Sequence, residues 1–211
     1  KMGIKGSSTC GLRLANVRVP DSARLGEVGR GHKIALNMLN LGRLKLGVTM
    51  IGANKWVLRE AIRYGLERKQ FGRPITDFGM MRQKIADCAA MIYAGEAVGF
   101  RTARLIEDLI AVLEPETGRP AVECAIAKIF LTESATGVAD HAVQMLGGYG
   151  FCEEYKVARN YRDVRVSRLY EGTNEINRLV IVNNIMRRSA KDPEGRSVID
   201  RIRARKGENE D

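Results

Sequence analysis

The length of the helical stretches restricts this fold most. From about residue 31 to residue 68 the pattern stays helical, with Ile34, Met38, Leu41 and the apolar stem of Lys45 on one face and Ile51, Leu58 and Ile62 extending it. At 1.5 Å per residue such a helix spans roughly 55 Å. A second stretch runs from about Phe78 to Leu113, with Met81, Ile85, Cys88 and Ile92 on one face. Residues 114–120 read as a turn. A third helix starts at Pro120, whose fixed φ suits a first helical position. Its stripe is Val122, Ile126, Ile129 and Phe130, and it ends near Gly147 and Gly148. A short helical segment at about 154–160 follows, then a fourth main helix from Asn174 to about Arg188, with Ile176, Leu179 and Val180 inward. Trp56 reads as helix packing. Long helices on short connections favour antiparallel neighbours, so the predicted architecture is mainly α, an antiparallel four-helix bundle.

The two ends differ from this pattern. Residues 1–20 look extended: Leu12, Leu14, Val17 and Val19 are β-compatible, and Pro20 stops the run. The turn at Gly26, Gly29 and Gly31 is glycine-rich, but Ile34 stands where a dinucleotide fingerprint needs its last glycine. The chain therefore divides into residues 1–28, a helical domain over 29–190, and a charged tail over 191–211.

Composition narrows the function. The chain has 211 residues, 45% hydrophobic and 28% charged, which is ordinary for a globular protein with a sizeable core. A formal charge of +10 invites a nucleic-acid reading. The basic residues are dispersed along helices near acids, however, and no zinc-finger or aromatic-rich RNA motif occurs. The basic run 201–206 is followed by an acidic end and reads as a solvated terminus, so no nucleic-acid partner is expected. Cys10, Cys88, Cys124 and Cys152 lack metal-like spacing and read as small core residues, and no metal is expected. No apolar run is long enough to span a bilayer, and no signal peptide is visible. His32 and His141 are isolated, and Ser134 and Ser167 have no companions for a nucleophilic triad.

Four short segments carry candidate chemistry. Glu171 precedes Gly172 and a helix start at Thr173 or Asn174. The glycine permits close ligand approach, and a capped helix N-terminus favours anions. Glu171 is thus either an acid/base group beside a phosphate-bearing ligand or a solvated acid favoured by the helix dipole. Gln144, Met145, Leu146, Gly147 and Gly148 end a helix, either as a plain glycine cap or as a backbone that approaches a pyrophosphate. Arg68, Lys69, Gln70 and Phe71 form a basic helix end, where an arginine fork can also bind a pyrophosphate. Asn40, Leu41, Gly42 and Arg43 interrupt the first helix; Gly42 costs about 1 kcal/mol there relative to alanine, which suggests a close approach. Arg162, Asp163 and Arg165 are either an ion-pair cluster supporting the Glu171 loop or a solvated one.

These segments resemble the acyl-CoA dehydrogenase family, most closely its very-long-chain type, over nearly the whole chain to about Arg188. Tyr170-Glu-Gly-Thr-Asn-Glu-Ile176 is similar to the family's catalytic-base motif, Gln144-Met-Leu-Gly-Gly-Tyr-Gly-Phe151 to its glycine turn, and Leu66-Glu-Arg-Lys-Gln-Phe-Gly72 to its flavin-contacting loop. The resemblance implies a C-terminal helical bundle preceded by the last strands of a middle β-domain, hence a piece of a longer protein. It implies FAD as cofactor and an acyl-CoA substrate, whose coenzyme A is a polyanion that suits the positive charge. Glu171 would remove the α-proton while the β-hydrogen leaves as hydride to the flavin, giving a trans-2-enoyl-CoA. The family carries its base at the position of either Glu171 or Gly42; here only Glu171 is acidic. Arg68, Gln70, Phe71, Gln144, Met145, Leu146, Gly147 and Gly148 would contact a flavin held mainly by another subunit, and Thr173, Asn174 and Glu175 the flavin at the base. Asn40, Leu41, Gly42, Arg43, Tyr170 and Gly172 would contact the substrate. An electron-transfer flavoprotein would accept the electrons, and a homodimer or homotetramer is expected. The implied location is the bacterial cytoplasm, or the mitochondrial matrix in a eukaryote. The fragment alone is expected to be inactive. The alternatives are an acyl-CoA oxidase-like relative and a fragment serving only as an oligomerisation scaffold.

Overall fold

The structure, a computed structural model, describes residues 1–111 and 120–190. The expected turn over 114–120, the end of the second helix at Leu113 and the charged tail lie outside the described residues. The helices are α1 (Gly31–Glu67), α2 (Gly79–Ala111), α3 (Pro120–Leu146), α4 (Gly148–Phe151), α5 (Lys156–Val164) and α6 (Asn174–Ala190). A two-stranded antiparallel sheet of β1 (Lys69–Gln70) and β2 (Arg73–Pro74) follows α1. Among the described residues no helix is long and apolar enough to cross a membrane.

Helix α3 is the centre of the bundle and packs against α1, α2, α5 and α6. Its core stripe is Cys124, Leu131, Ala135, Val138, Ala142 and Met145. This corrects part of the expected stripe, of which Val122 is buried as expected. Ile126 and Phe130 are exposed, while Ala125 and Ala127 are buried. A helix enclosed on several sides has no single apolar stripe, and small residues fill its closest contacts. Leu131 shows how close. A Cβ added at Gly47 of α1 would lie 2.9 Å from its Cδ1, and one at Gly95 of α2 would lie 2.9 Å from its Cδ2. Two glycines thus form the socket for one leucine, and Leu44, Ile51 and Ile92 close around it.

Other faces also depart from expectation. Met38 and Leu41 are exposed, and Arg43 and Leu44 are the first buried residues of α1 among those described. Ile176 and Leu179 of α6 face outward, whereas Asn174 and Asn177 face the core. Cys88 and Cys124 are buried as expected, and burial pushes both thiols up to about 11; Cys10 and Cys152 are exposed. Trp56 packs against the core as expected.

Among the described residues of this chain no strand is present before Pro20. Leu12 is 91% exposed, and among the described residues the segment has no partner strand with which to build a ladder. It is tied down by Ile4 N, which donates to Asp163 Oδ1 at 2.6 Å. Arg162 pairs instead with Glu153 at 2.7 Å, so Arg162, Asp163 and Arg165 do not form one ion-pair cluster. The short helix expected at 154–160 lies at Lys156–Val164. The β1–β2 hairpin was not expected. Phe71 and Gly72 both have positive φ (52° and 81°), the I′ pattern of a two-residue hairpin, and phenylalanine does not advertise that turn.

Candidate active site

Two groups of the sequence-selected residues come together, one around Asn40–Arg43 in the first half of α1 and one at its C-terminal end. The first surrounds Glu171. A 3-10 turn at Arg165–Arg168 ends with Leu169 N donating to Val166 O, and the chain then takes two consecutive left-handed residues, Glu171 (φ 57°) and Gly172 (φ 80°). Glycine adopts that conformation freely, but for glutamate it costs about 1–2 kcal/mol. A strained non-glycine residue persists where its surroundings over-determine it. Here Arg43 Nε donates to Glu171 O at 3.1 Å, and Lys128 Nζ donates to Gly172 O at 2.9 Å. Asn177 Nδ2 donates to Gly172 O at 2.7 Å and to Thr173 O at 3.0 Å. Thr173 caps α6, its Oγ1 accepting from Ile176 N at 3.3 Å.

The strain aims the carboxylate at α1. A Cβ built on Gly42 would lie 2.6 Å from Glu171 Oε2 and 3.0 Å from its Cδ, so only glycine leaves room there. Glu171 Oε2 is buried and has no hydrogen-bond partner among the described residues. An unpaired buried carboxylate oxygen is costly and calls for an explanation. Asn40 orients Arg43 by accepting from its guanidinium at 3.1 Å. Burial lowers the Arg43 pKa, against the neighbouring Cys124 and Glu171, and burial together with Glu171 raises that of the Tyr170 phenol. Leu41 and Tyr170 are exposed beside this cluster.

The start of α6 is fixed from within. Asn174, 1% exposed, accepts from Lys128 at 2.6 Å and donates to Glu133 at 3.1 Å, so its side chain is committed to the bundle. Arg178 also binds Glu133 at 2.7 Å. Burial pushes the Glu133 carboxyl up, but hydrogen bonds from Arg178 and Asn174 outweigh it and hold the pKa down. Glu175 is in the exposed first turn, where its own backbone N–H and the Thr173 hydroxyl hold its carboxyl down. Sequence reasoning missed Lys128, Glu133 and Asn177. The stripe expected for α3, through Val122, Ile126, Ile129 and Phe130, left Lys128 off the core face.

The second group lies at the far end of α1. Arg68, Gln70, Gln144, Met145, Leu146, Gly147 and Gly148 line one cleft of about 620 Å³, so two motifs distant in sequence meet. Arg68 lies over the Tyr149 ring at 5.7 Å, and Tyr149 packs with Tyr64 and Tyr155. Arg68 and Tyr149 both line the cleft, so the guanidinium lies against its aromatic wall. Gly147 turns the chain with φ 60°, and Gly150 is required because a Cβ there would lie 2.4 Å from Val143 O. Phe71 stands apart, 91% exposed on the hairpin turn. An open cleft that combines an arginine with an exposed glycine turn fits an anionic, dinucleotide-sized group. Among the described residues no cluster of His, Cys, Asp or Glu could hold a metal ion.

Comparison with known proteins gives consistent results. The family model "Acyl-CoA dehydrogenase, C-terminal domain" matches residues 29–186. A probable acyl-CoA dehydrogenase of Bacillus subtilis is 44% identical over 202 residues, which cover 90% of this chain and 34% of that protein. The mouse very long-chain specific acyl-CoA dehydrogenase is 39% identical over 181 residues, covering 86% of this chain and 26% of its own. The crystal structure of an acyl-CoA dehydrogenase complexed with FAD from Bacillus anthracis superposes with a TM-score of 0.86 at 41% identity, covering 90% of this chain and 35% of that one. The chain thus spans roughly a quarter to a third of the length of these relatives.

Proposed function

The chain belongs to the acyl-CoA dehydrogenase family, matching its C-terminal domain, and from that membership we propose that the whole protein oxidises a saturated acyl-CoA to its trans-2-enoyl-CoA, with Glu171 as the base. The observation that carries this reading is the strained Glu171 turn, which holds a buried, unpartnered carboxylate oxygen in the space left by Gly42. Glu171 takes the α-proton of the thioester. Its backbone N–H is an available donor for the thioester oxygen, which would stabilise the enolate charge as it develops. Arg43 holds the Glu171 carbonyl and so orients that peptide. Asn40, Leu41, Gly42, Arg43, Tyr170 and Gly172 border the acyl-CoA.

FAD, when bound, supplies the acceptor for the β-hydride. Thr173, Asn174 and Glu175 would border the flavin near the base, Asn174 through its backbone because its side chain is committed. Arg68, Gln70 and residues 144–148 would hold a pyrophosphate-bearing part of FAD, with Phe71 on the hairpin turn outside that cleft. Gly42 and Glu67 lie about 38 Å apart along one helix, at 1.5 Å per residue. One dinucleotide does not reach both ends, so the two groups serve different flavins and the working unit is at least a homodimer. An electron-transfer flavoprotein is the proposed electron acceptor.

The test is anaerobic addition of a saturated acyl-CoA to the full-length, flavin-loaded protein. Wild type should bleach the visible flavin band; Glu171→Gln should bind flavin yet bleach about 10³-fold more slowly or not at all. Equal bleaching in both would move the base elsewhere.

A further inference from the structure

Lys128 is chemically out of place on α3. It lies among Cys124, Ala127 and Leu131 with 0% of its surface exposed. A buried ammonium persists only where acceptors and opposite charges offset its dehydration. Its two acceptors, Gly172 O at 2.9 Å and Asn174 Oδ1 at 2.6 Å, both belong to the segment that carries Glu171. The charged groups around it are Arg43 from α1, Glu133 from α3, Glu171 from the turn and Glu175 from α6. Burial, reinforced by Arg43, lowers its pKa to about 8 against the pull of the three carboxylates.

We propose that Lys128 is a positioning residue for Glu171: by binding the Gly172 carbonyl and the Asn174 side chain it fastens the left-handed turn to the centre of the bundle and so aims the carboxylate over Gly42. The proposal rests on the reading of Glu171 as base. The other ties have different anchors: Asn177 belongs to α6, which the turn itself enters, and Arg43 belongs to α1. From α3, Lys128 reaches the backbone of the turn itself at Gly172 O, whereas Glu133 holds the segment further on, through the Asn174 side chain. An ammonium suits the task because its three N–H groups diverge from one atom and can reach both acceptors. Charge-assisted bonds of this kind are about twice as strong as neutral ones, so loss of the proton loosens the turn.

The experiment follows anaerobic flavin reduction by saturating acyl-CoA from pH 6 to 10 in the full-length, flavin-loaded protein, as wild type, Lys128→Met and Glu171→Gln. At pH 7, Lys128→Met should be ~100-fold slower, the cost of a base displaced by about 1 Å. Its half-saturating acyl-CoA concentration should change less than ~3-fold, because substrate binding does not use the lysine. Wild type should lose rate above about pH 8, and Lys128→Met should not. A Lys128→Met rate within ~3-fold of wild type, with the alkaline fall retained, overturns the proposal. If that variant does not fold, Asn174→Asp keeps the lysine and gives it a carboxylate; the alkaline fall should then move to higher pH, and an unmoved fall overturns the proposal. Glu171→Gln reducing flavin like wild type overturns the base reading, whereas an inactive Glu171→Gln beside an unaffected Lys128→Met overturns this inference alone.

Discussion

A methyl group added at Gly42 would sit 2.6 Å from Glu171 Oε2, so residue 42 controls where that carboxylate rests. Gly42→Ala should leave the fold intact, since alanine is favoured over glycine in a helix by about 1 kcal/mol, while displacing the carboxylate. Flavin reduction in the full-length variant is expected to fall ~100-fold with its melting temperature held or raised; unchanged reduction would mean the carboxylate does not work from there. Lys128 carries a pH signature of its own. Its folded pKa is about 8 and its ordinary value 10.5, so between these limits the unfolded chain binds more protons. Wild-type stability relative to Lys128→Met should therefore rise with pH from about 8 to 10.5, as measured by denaturation of the two proteins across that range. A flat difference would place the ammonium in a more watery site than the burial indicates. Gly42 could be picked out of the sequence because a glycine inside a helix breaks a local preference, whereas Glu171 and Gly172 stood out through the resemblance of their motif, the residues alone leaving Glu171 either a base or a solvated acid. Lys128 could not be placed because its neighbours Cys124 and Ala127 are too small to mark a core stripe.

Helix ends proved easier to read than helix faces. Proline at 120 and the glycines at 147 and 148 punctuate the chain, and α3 begins and ends where they require. Burial follows packing on more than one side, and a single periodic stripe cannot represent that for α1 or α3. Hence Ile126 and Leu179 were expected inside and lie outside, while Ala125 and Ala127 are enclosed. The Leu131 socket shows what holds the three long helices together. Leu131→Ala should cost about 2–5 kcal/mol, because rigid glycine backbones at 47 and 95 cannot collapse into the cavity. Gly95→Val should cost about 1–3 kcal/mol by overpacking the same contact. Chemical denaturation of each variant checks both; losses below about 0.5 kcal/mol would show that α2 can shift to relieve the fit.

For the whole molecule, the stretch of α1 from Gly42 to Glu67, about 38 Å at 1.5 Å per residue, separates the Arg68 cleft from Glu171 by more than one dinucleotide covers. Subunit mixing tests whether the two ends serve different flavins. Arg68→Ala and Glu171→Gln should each be impaired alone. Co-assembled, the intact Glu171 of one subunit meets the intact Arg68 of the other, and about half the sites in each mixed dimer should regain wild-type activity. Mixtures that never exceed the average of the parents would place both groups at one flavin within a subunit. Whether Glu171 works as a base from the space over Gly42 is tested by moving the base. In the full-length, flavin-loaded protein, anaerobic bleaching by acyl-CoA is compared between Glu171→Gly and the double variant Glu171→Gly with Gly42→Glu. On that reading the double variant should regain bleaching at least ~10-fold above the single one, since both side chains reach the same volume. A folded, flavin-loaded double variant as inactive as Glu171→Gly would contradict it.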